Sequence, residues 1–386
     1  MYKIAVLPGD GIGPEVIAQA VRVLKTVDRV FGLGLQFDEA LIGQSALDAT
    51  GRLLPPETVR VCRTSQAVLL GPVGGSRWEH PTSMQHPKQA VFNLRSWLGT
   101  YATLRPIQCY PVLRAISPLR RELQQIDMLM VYDNASGLVY GTPRGIVKGD
   151  GTLTATNTVS YSAGEIDRVA RLAFTQARQR AKRVVSVDQS KTLEIGILWR
   201  DRVEAIAAEY KDVQLERIDA DNFLFNLVQN PGQYDVVLTN AILGDLLSIT
   251  AMGLTGSYAM HPSAYIGTDC VGLFQAAHGA ADTLMGKNEA NPIAAIRAAS
   301  MLLENGLLLP EPAAAIERAV DEVLSQGTLP ADICPQTQVP KSTEEVASAV
   351  AAAIERAHAP KPRTVSTELI PEREEARTQN PGATGG

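Results

Sequence analysis

Asp235-Val-Val-Leu-Thr-Asn-Ala-Ile-Leu-Gly-Asp-Leu-Leu-Ser-Ile249 is the stretch from which the fold is read. Val236, Val237 and Leu238 form a short, β-branched apolar run, the pattern of a strand buried on both faces. Thr239 and Asn240 punctuate it. An apolar-periodic helix then begins near Ile242 and carries one carboxylate, Asp245. An acid in an apolar helix is costly to bury without a partner. Asp245 therefore either caps or pairs structurally, or holds a cation. Position 249 lies one helical turn on and on the same face. A second carboxylate there would complete a hard-metal pair, but the residue is Ile249.

Strand-then-helix units of this kind recur outward from that stretch. Lys3 to Leu7 reads as a first strand, and Pro8-Gly9-Asp10-Gly11-Ile12-Gly13-Pro14-Glu15 as a glycine-rich turn. Pro14 suits the first turn of the helix that continues through Val27. The Gly-x-Gly-x-x-Gly spacing of a dinucleotide loop is absent, so by itself the turn is either a phosphate cradle or a tight strand-to-helix connection. A strand at Ala67–Gly71 runs into Pro72-Val73-Gly74-Gly75. Next come a helix bearing Arg95 and then Arg105-Pro106. Two arginines near a glycine-rich loop suit an acidic ligand, since guanidinium grips carboxylate bidentately, although surface ion pairing uses the same residues.

Further strands are expected at Met128–Val131, Arg183–Val187 and Leu215–Ile218. Helices are expected at Glu165–Ala181, Leu193–Ala208, around Phe223–Leu227, Pro292–Leu303, Pro312–Ser325 and Ser342–His358. Residues 133–160 read as a hairpin arm, and Trp199 as core. This alternation predicts an α/β architecture with wound parallel strands.

Composition narrows the function classes. The chain has 386 residues, 45% apolar and 20% charged, with a formal net charge of −5. That length allows two domains. The charge gives no reason to expect nucleic acid, and no basic stripe with interleaved aromatics is present. No apolar run approaches the roughly 20 residues of a membrane span. Cys62, Cys109, Cys270 and Cys334 lack metal-ligand spacing and read as free thiols in a reducing, cytoplasmic setting. From Pro360 onward the chain is rich in proline, charge and glycine, the composition of a disordered tail.

Taken in order, Leu7-Pro-Gly-Asp-Gly-Ile-Gly-Pro-Glu15, Leu69-Leu-Gly-Pro-Val-Gly-Gly75, Asn93-Leu-Arg95, Leu104-Arg-Pro106, Pro143-Arg-Gly145, Val185-Ser-Val-Asp188, His278-Gly279 and Ala290-Asn-Pro292 resemble the isocitrate/isopropylmalate dehydrogenase family of metal-dependent β-decarboxylating dehydrogenases. The resemblance extends to about residue 358. It implies a two-domain α/β fold with wound mixed sheets and a dimerisation arm. A large cofactor-binding domain would span 1–104 plus 256–358, and a small domain with the arm and the dimer helices 105–255, leaving 359–386 as a tail. It also implies a homodimer with a cleft completed by the partner subunit, a nicotinamide dinucleotide (NAD or NADP, NAD favoured), Mg²⁺ or Mn²⁺, and a 2-hydroxy di- or tricarboxylic acid as substrate.

The same resemblance assigns positions. Substrate binding falls to Arg95, Arg105 and, at a third arginine position, Tyr132. A tyrosine donates one hydrogen bond but lacks the cationic fork. The catalytic tyrosine position holds Val139. Tyr140 is adjacent, and in a strand it would face the other way. The lysine relay position holds Gln189, with Lys191 two residues on. Metal positions are Asp221, Asp245 and Ile249. An octahedral dication wants about six oxygen ligands, so binding by two carboxylates and water would be weak. Cofactor positions are Ile12, Gly74, His278, Gly279, Asn291 and Thr283. Thr283 stands where NAD-preferring members place an acid, with Asp282 one residue early, and Gln275 replaces a glutamate before the His-Gly motif.

Two functional expectations follow. In one, the chain is a family oxidoreductase homologue that acts on, or binds, a 2-hydroxy acid, with ordinary oxidative decarboxylation impaired. In the other it is a catalytically inactive binding or regulatory subunit, a pseudoenzyme that pairs with an active paralogue.

Overall fold

The computed structural model describes residues 1–75, 86–123, 125–149, 151–268 and 271–359. The expected tail beyond Ala359 and Cys270 lie outside them. The described strands are β1 (Tyr2–Leu7), β2 (Leu35–Glu39), β3 (Ala67–Leu70), β4 (Ala102–Gln108), β5 (Asp127–Asp133), β6 (Arg144–Gly149), β7 (Thr152–Asn157), β8 (Arg183–Asp188), β9 (Gln214–Asp219), β10 (Val236–Thr239), β11 (Pro262–Ile266) and β12 (Gly272–Ala276). The helices are α1 (Gly13–Phe31), α2 (Gln44–Thr50), α3 (Pro56–Arg63), α4 (Lys88–Leu98), α5 (Ala163–Arg178), α6 (Glu194–Ala207), α7 (Ala220–Gln229), α8 (Ala241–Thr255), α9 (Ile293–Met301), α10 (Pro310–Ser325) and α11 (Thr343–His358).

One ten-stranded sheet organises them, in the order β2-β1-β3-β12-β11-β4-β5-β10-β8-β9. The parallel winding expected from strand–helix alternation holds within each half but not across the middle. There β4 runs antiparallel to both β5 and β11, and β11 antiparallel to β12. The alternation rule fails at this point because no crossover helix separates β11 from β12. The sheet is continuous from one half to the other. Position 104 falls inside β4, and position 255 at the end of α8.

The opening stretch folds as its pattern dictates. β10 is buried at all four positions and pairs with β5 and β8. Asn240 caps α8, its side-chain oxygen accepting from the Leu243 amide, the usual way to satisfy an orphan helix N–H. α5 starts with a full capping box, Ser162 and Glu165 bonding reciprocally, as Ser-x-x-Glu predicts. Phe174, Phe223 and Phe274 are fully buried, and Trp199 is core, donating to Ser186 Oγ at 3.2 Å.

The expected arm is present as a detached antiparallel hairpin, β6–β7, narrower than residues 133–160. Its Ile146, Val147 and Leu153 side chains are exposed. A second exposed apolar set lies on α7 and α8: Leu224, Phe225, Val228, Ile242, Leu246 and Ile249.

Candidate functional site

β1, β3 and β12 are parallel and end together, with Leu7 opposite Leu70 and Leu70 opposite Gln275. The loops at their carboxyl ends therefore meet, where open α/β sheets bind ligands. The Asp10 amide donates to the Pro72 carbonyl at 2.7 Å, and the Ile12 amide to the Ala280 carbonyl at 2.8 Å. Gly11 must be glycine: its φ is +58°, and a Cβ would lie 2.1 Å from the Ala280 carbonyl oxygen. The buried Asp10 carboxylate ties three loops by accepting from the amides of Gln44, Ser45 and Gly74 at 3.0, 3.0 and 2.9 Å.

These loops border a cavity of about 630 Å³ whose lining includes Ile12, Tyr258, His278, Glu289, Asn291 and Asp332. Burial lowers the His278 pKa, so the ring is neutral at pH 7. Nδ1 lies 3.0 Å from the Gly279 carbonyl, which can only accept, so Nδ1 carries the proton. Nε2 is then a buried acceptor without a partner among the described residues. An aromatic ligand with an exocyclic amine, such as adenine, supplies the missing donor. Of the six cofactor positions, Ile12, His278, Gly279 and Asn291 line this cavity. Gly74 is instead engaged by Asp10, and Thr283 lies outside the lining.

The acid-binding residues converge elsewhere. Phe92, Arg95, Tyr132, Asp133, Val139, Tyr140, Asp245 and Tyr265 are among those surrounding a space of only about 30 Å³, room for roughly one or two waters. Tyr132 ends β5 and donates to Asp245 Oδ1 at 2.8 Å. Burial raises the Tyr132 pKa, with Arg105 opposing and Asp245 reinforcing, so the phenol stays a neutral donor. Its ring lies so close to α8 that a Cβ on Gly244 would sit 2.2 Å from Tyr132 Cγ. Arg105 is buried and held by Ser263 Oγ at 2.9 Å and Ser248 Oγ at 2.6 Å, with Asp245 Oδ1 3.6 Å away. The Arg95 guanidinium lies 3.6 Å from the centre of the Tyr265 ring, a cation–π stack. Its Nε is buried without a hydrogen bond.

Asp245 is not buried as the apolar helix suggested; its side chain is 64% exposed, at the rim of α8. Val139 and Tyr140 do not face opposite ways either. Val139 ends a 3₁₀ turn, Gly137–Val139, and Tyr140 follows it, with no strand there, so both reach the same pocket. Tyr140 packs edge-on against Phe92, centroids 6.3 Å apart. Asp133 is fully buried, accepts from the Ser136 amide at 2.8 Å, and has Arg168 3.9 Å from Oδ1. Burial lifts its pKa to about 6.

Within one protomer the donor set for a hard dication is incomplete. Asp245 already accepts from Tyr132, and Ile249 offers no oxygen. Asp221 sits exposed at the start of α7, where its own carboxylate accepts from the Asn222 amide. Among the described residues no three His, Cys, Asp or Glu side chains group to hold a metal. Within one protomer Gln189 faces a separate crevice with Tyr161 and Trp199, and Lys191 pairs with Asp219.

The family model described as isocitrate/isopropylmalate dehydrogenase matches residues 3–350. The chain belongs to the isocitrate/isopropylmalate dehydrogenase family. It is 42% identical over 356 residues to the 3-isopropylmalate dehydrogenase of Synechococcus elongatus, covering 92% of this chain and 98% of that one. It is 44% identical over 347 residues to that of Moorella thermoacetica, covering 89% and 97%. Among solved structures, isocitrate dehydrogenase from Methylococcus capsulatus superposes with a TM-score of 0.79 at 29% identity, covering 92% of this chain and 99% of that one. A β-decarboxylating dehydrogenase from Thermococcus kodakarensis does so with 0.74 at 31%, covering 92% and 97%.

Against the family pattern, sequence reasoning missed Tyr265, Tyr258, Glu289 and Asp332. None lies in a motif; each reaches its site only through β11 or a loop. It also missed His261, which is fully buried beside Thr255. Burial foremost, then the cations Arg297 and Arg105, lowers its pKa from 6.5 to about 3. Between those values the unfolded chain takes up a proton that the folded one refuses. This contribution to stability is complete above pH 6.5 and is lost as pH falls, by up to about 1.4 kcal/mol per unit. Asp133 works in the opposite sense below about 6, so the His261 share is read as a difference. The gap in urea midpoint between wild type and His261→Leu is expected to shift steadily in favour of the variant from pH 7 to pH 5. A gap independent of pH would refute the assignment.

Proposed function

We propose that this family oxidoreductase homologue binds a nicotinamide dinucleotide, NAD in preference to NADP, and does not itself carry out ordinary metal-dependent oxidative decarboxylation of a 2-hydroxy diacid. One observation carries the reading: the hydroxyl of Tyr132 occupies Asp245, in a pocket of about 30 Å³. A branched diacid needs several times that space, and Tyr132 takes up one of the two Asp245 oxygens that a metal would use. The dinucleotide half is different. Its cavity of about 630 Å³ is of ligand-binding size, and the unpartnered His278 Nε2 supports an adenine-bearing occupant. When bound, the dinucleotide would supply a hydride acceptor. Ile12, His278, Gly279 and Asn291 would hold it.

A second reading, a binding or regulatory subunit in a dimer, is supported by the exposed apolar side chains of α7, α8 and the arm. Such a patch on a folded chain marks an interface. The family is usually dimeric, and a homodimer or a pairing with an active paralogue would both cover it. No described helix is long and apolar enough to cross a membrane, which agrees with the cytoplasmic setting we propose.

Thermal denaturation with NAD⁺, with Mn²⁺ and with 3-isopropylmalate separates the halves. NAD⁺ at a hundredfold over its Kd stabilises by about 2.7 kcal/mol and is expected to raise Tm by a few degrees. Mn²⁺ and the diacid, alone or together, are expected to leave Tm unchanged. A clear stabilisation by Mn²⁺ with diacid would overturn the closed-pocket reading.

A further inference from the structure

We infer that Glu289 is the ribose-reading carboxylate of the 630 Å³ cavity and restricts it to adenine nucleotides with free 2′- and 3′-hydroxyls. The inference rests on the reading of that cavity as a dinucleotide cleft. Its lining contains two charged side chains among the described residues, Glu289 and Asp332, and neither lysine nor arginine.

Asp332 is already committed. Its oxygens accept from Ser257 Oγ at 2.8 Å and from Asn291 Nδ2 at 3.0 and 3.2 Å. That cluster fixes the loop before β11 against the amino end of α9, where the Asn291 side-chain oxygen accepts from the Ile293 amide at 2.9 Å. Glu289 is exposed at the cavity wall, one residue before the buried Ala290, so its backbone is anchored, and its carboxylate has no hydrogen-bond or ion-pair partner among the described residues. The acids expected from sequence are elsewhere. Thr283 is not in the lining. Asp282 faces the other glycine loop, so close that a Cβ on Gly75 would lie 2.8 Å from its Oδ2.

A carboxylate offers two acceptor oxygens, which match two vicinal hydroxyls. The same carboxylate repels a 2′-phosphate, and no cation in the lining offsets that repulsion. Glu289 therefore performs, from the far side of the loop, the discrimination that an acid at position 283 would otherwise perform.

The test is calorimetric titration of the full chain with NAD⁺ and NADP⁺ at low ionic strength, repeated for Glu289→Gln and Glu289→Lys. Wild type is expected to bind NAD⁺ roughly tenfold or more tighter than NADP⁺. Glu289→Gln should narrow the ratio several-fold, and Glu289→Lys should invert it. If wild type binds neither nucleotide, the dinucleotide reading and the inference fall together. If it binds NAD⁺ and both variants keep the wild-type ratio, the cleft reading stands and the role of Glu289 is overturned. Equal thermal stability of the three proteins without ligand excludes a folding artefact, as expected for an exposed side chain.

Discussion

Purified protein given 3-isopropylmalate, NAD⁺ and Mn²⁺ is expected to reduce the nicotinamide at least about 10³-fold more slowly than an active relative assayed alongside it. Each general acid–base group contributes typically 10²–10⁴-fold, and the two positions that the family resemblance assigns to such groups hold Val139 and Gln189. Losses within one catalytic unit do not multiply, so the estimate is kept at the level of a single unit. The closed pocket that we propose would act on binding as well, because the Tyr132 hydroxyl engages Asp245 Oδ1. Joint replacement by Tyr132→Arg, Val139→Tyr, Gln189→Lys and Ile249→Asp is expected to restore part of the rate. Adding Tyr265→Ser is expected to restore more, since that ring covers one face of the Arg95 guanidinium at 3.6 Å. The measurement is absorbance of reduced nicotinamide under saturating substrate. Rapid turnover by the unaltered chain would show that the substitutions leave the chemistry intact.

Asp10→Ala is expected to give the largest loss of stability from a single polar truncation, roughly 3–5 kcal/mol, read as a lowered urea midpoint. Its carboxylate accepts three backbone amides from two other loops. Stranding buried donors costs about 1–3 kcal/mol each, more when the lost acceptor was charged. Water reaches part of this region, which limits the sum. Asp10→Asn keeps one acceptor oxygen and is expected to lose about half as much. Because Gly74 and Ile12 hang on the same turn, nucleotide binding should weaken in parallel. Full stability in Asp10→Ala would mean that the loops are held by their backbone bonds alone.

These two outcomes also separate what was legible in the chain. Elements with strong local periodicity or caps, such as β10 with α8 and the Ser162 start of α5, follow from the sequence because neighbouring residues decide them. The four motif positions lining the large cavity were legible only through the family resemblance, which assigns them by motif order. β11 and β12 were not, being short apolar runs whose pairing is set by partners about 160 and 200 residues away in β4 and β3. The mixed centre of the sheet follows from those long-range pairings.

By itself the sequence determined the family and the α/β fold, since residue identity and order suffice for both; which functional positions carry unexpected residues is what the family resemblance implies. It could not say what the replacements do. That Tyr132 reaches Asp245, that Tyr265 lies under Arg95, that Val139 and Tyr140 share a pocket and that Glu289 rather than Thr283 borders the large cavity were decided only by tertiary structure. The reason is geometric: a side chain's partners across a cleft depend on the registry of distant strands and the direction of loops, and no local pattern encodes either.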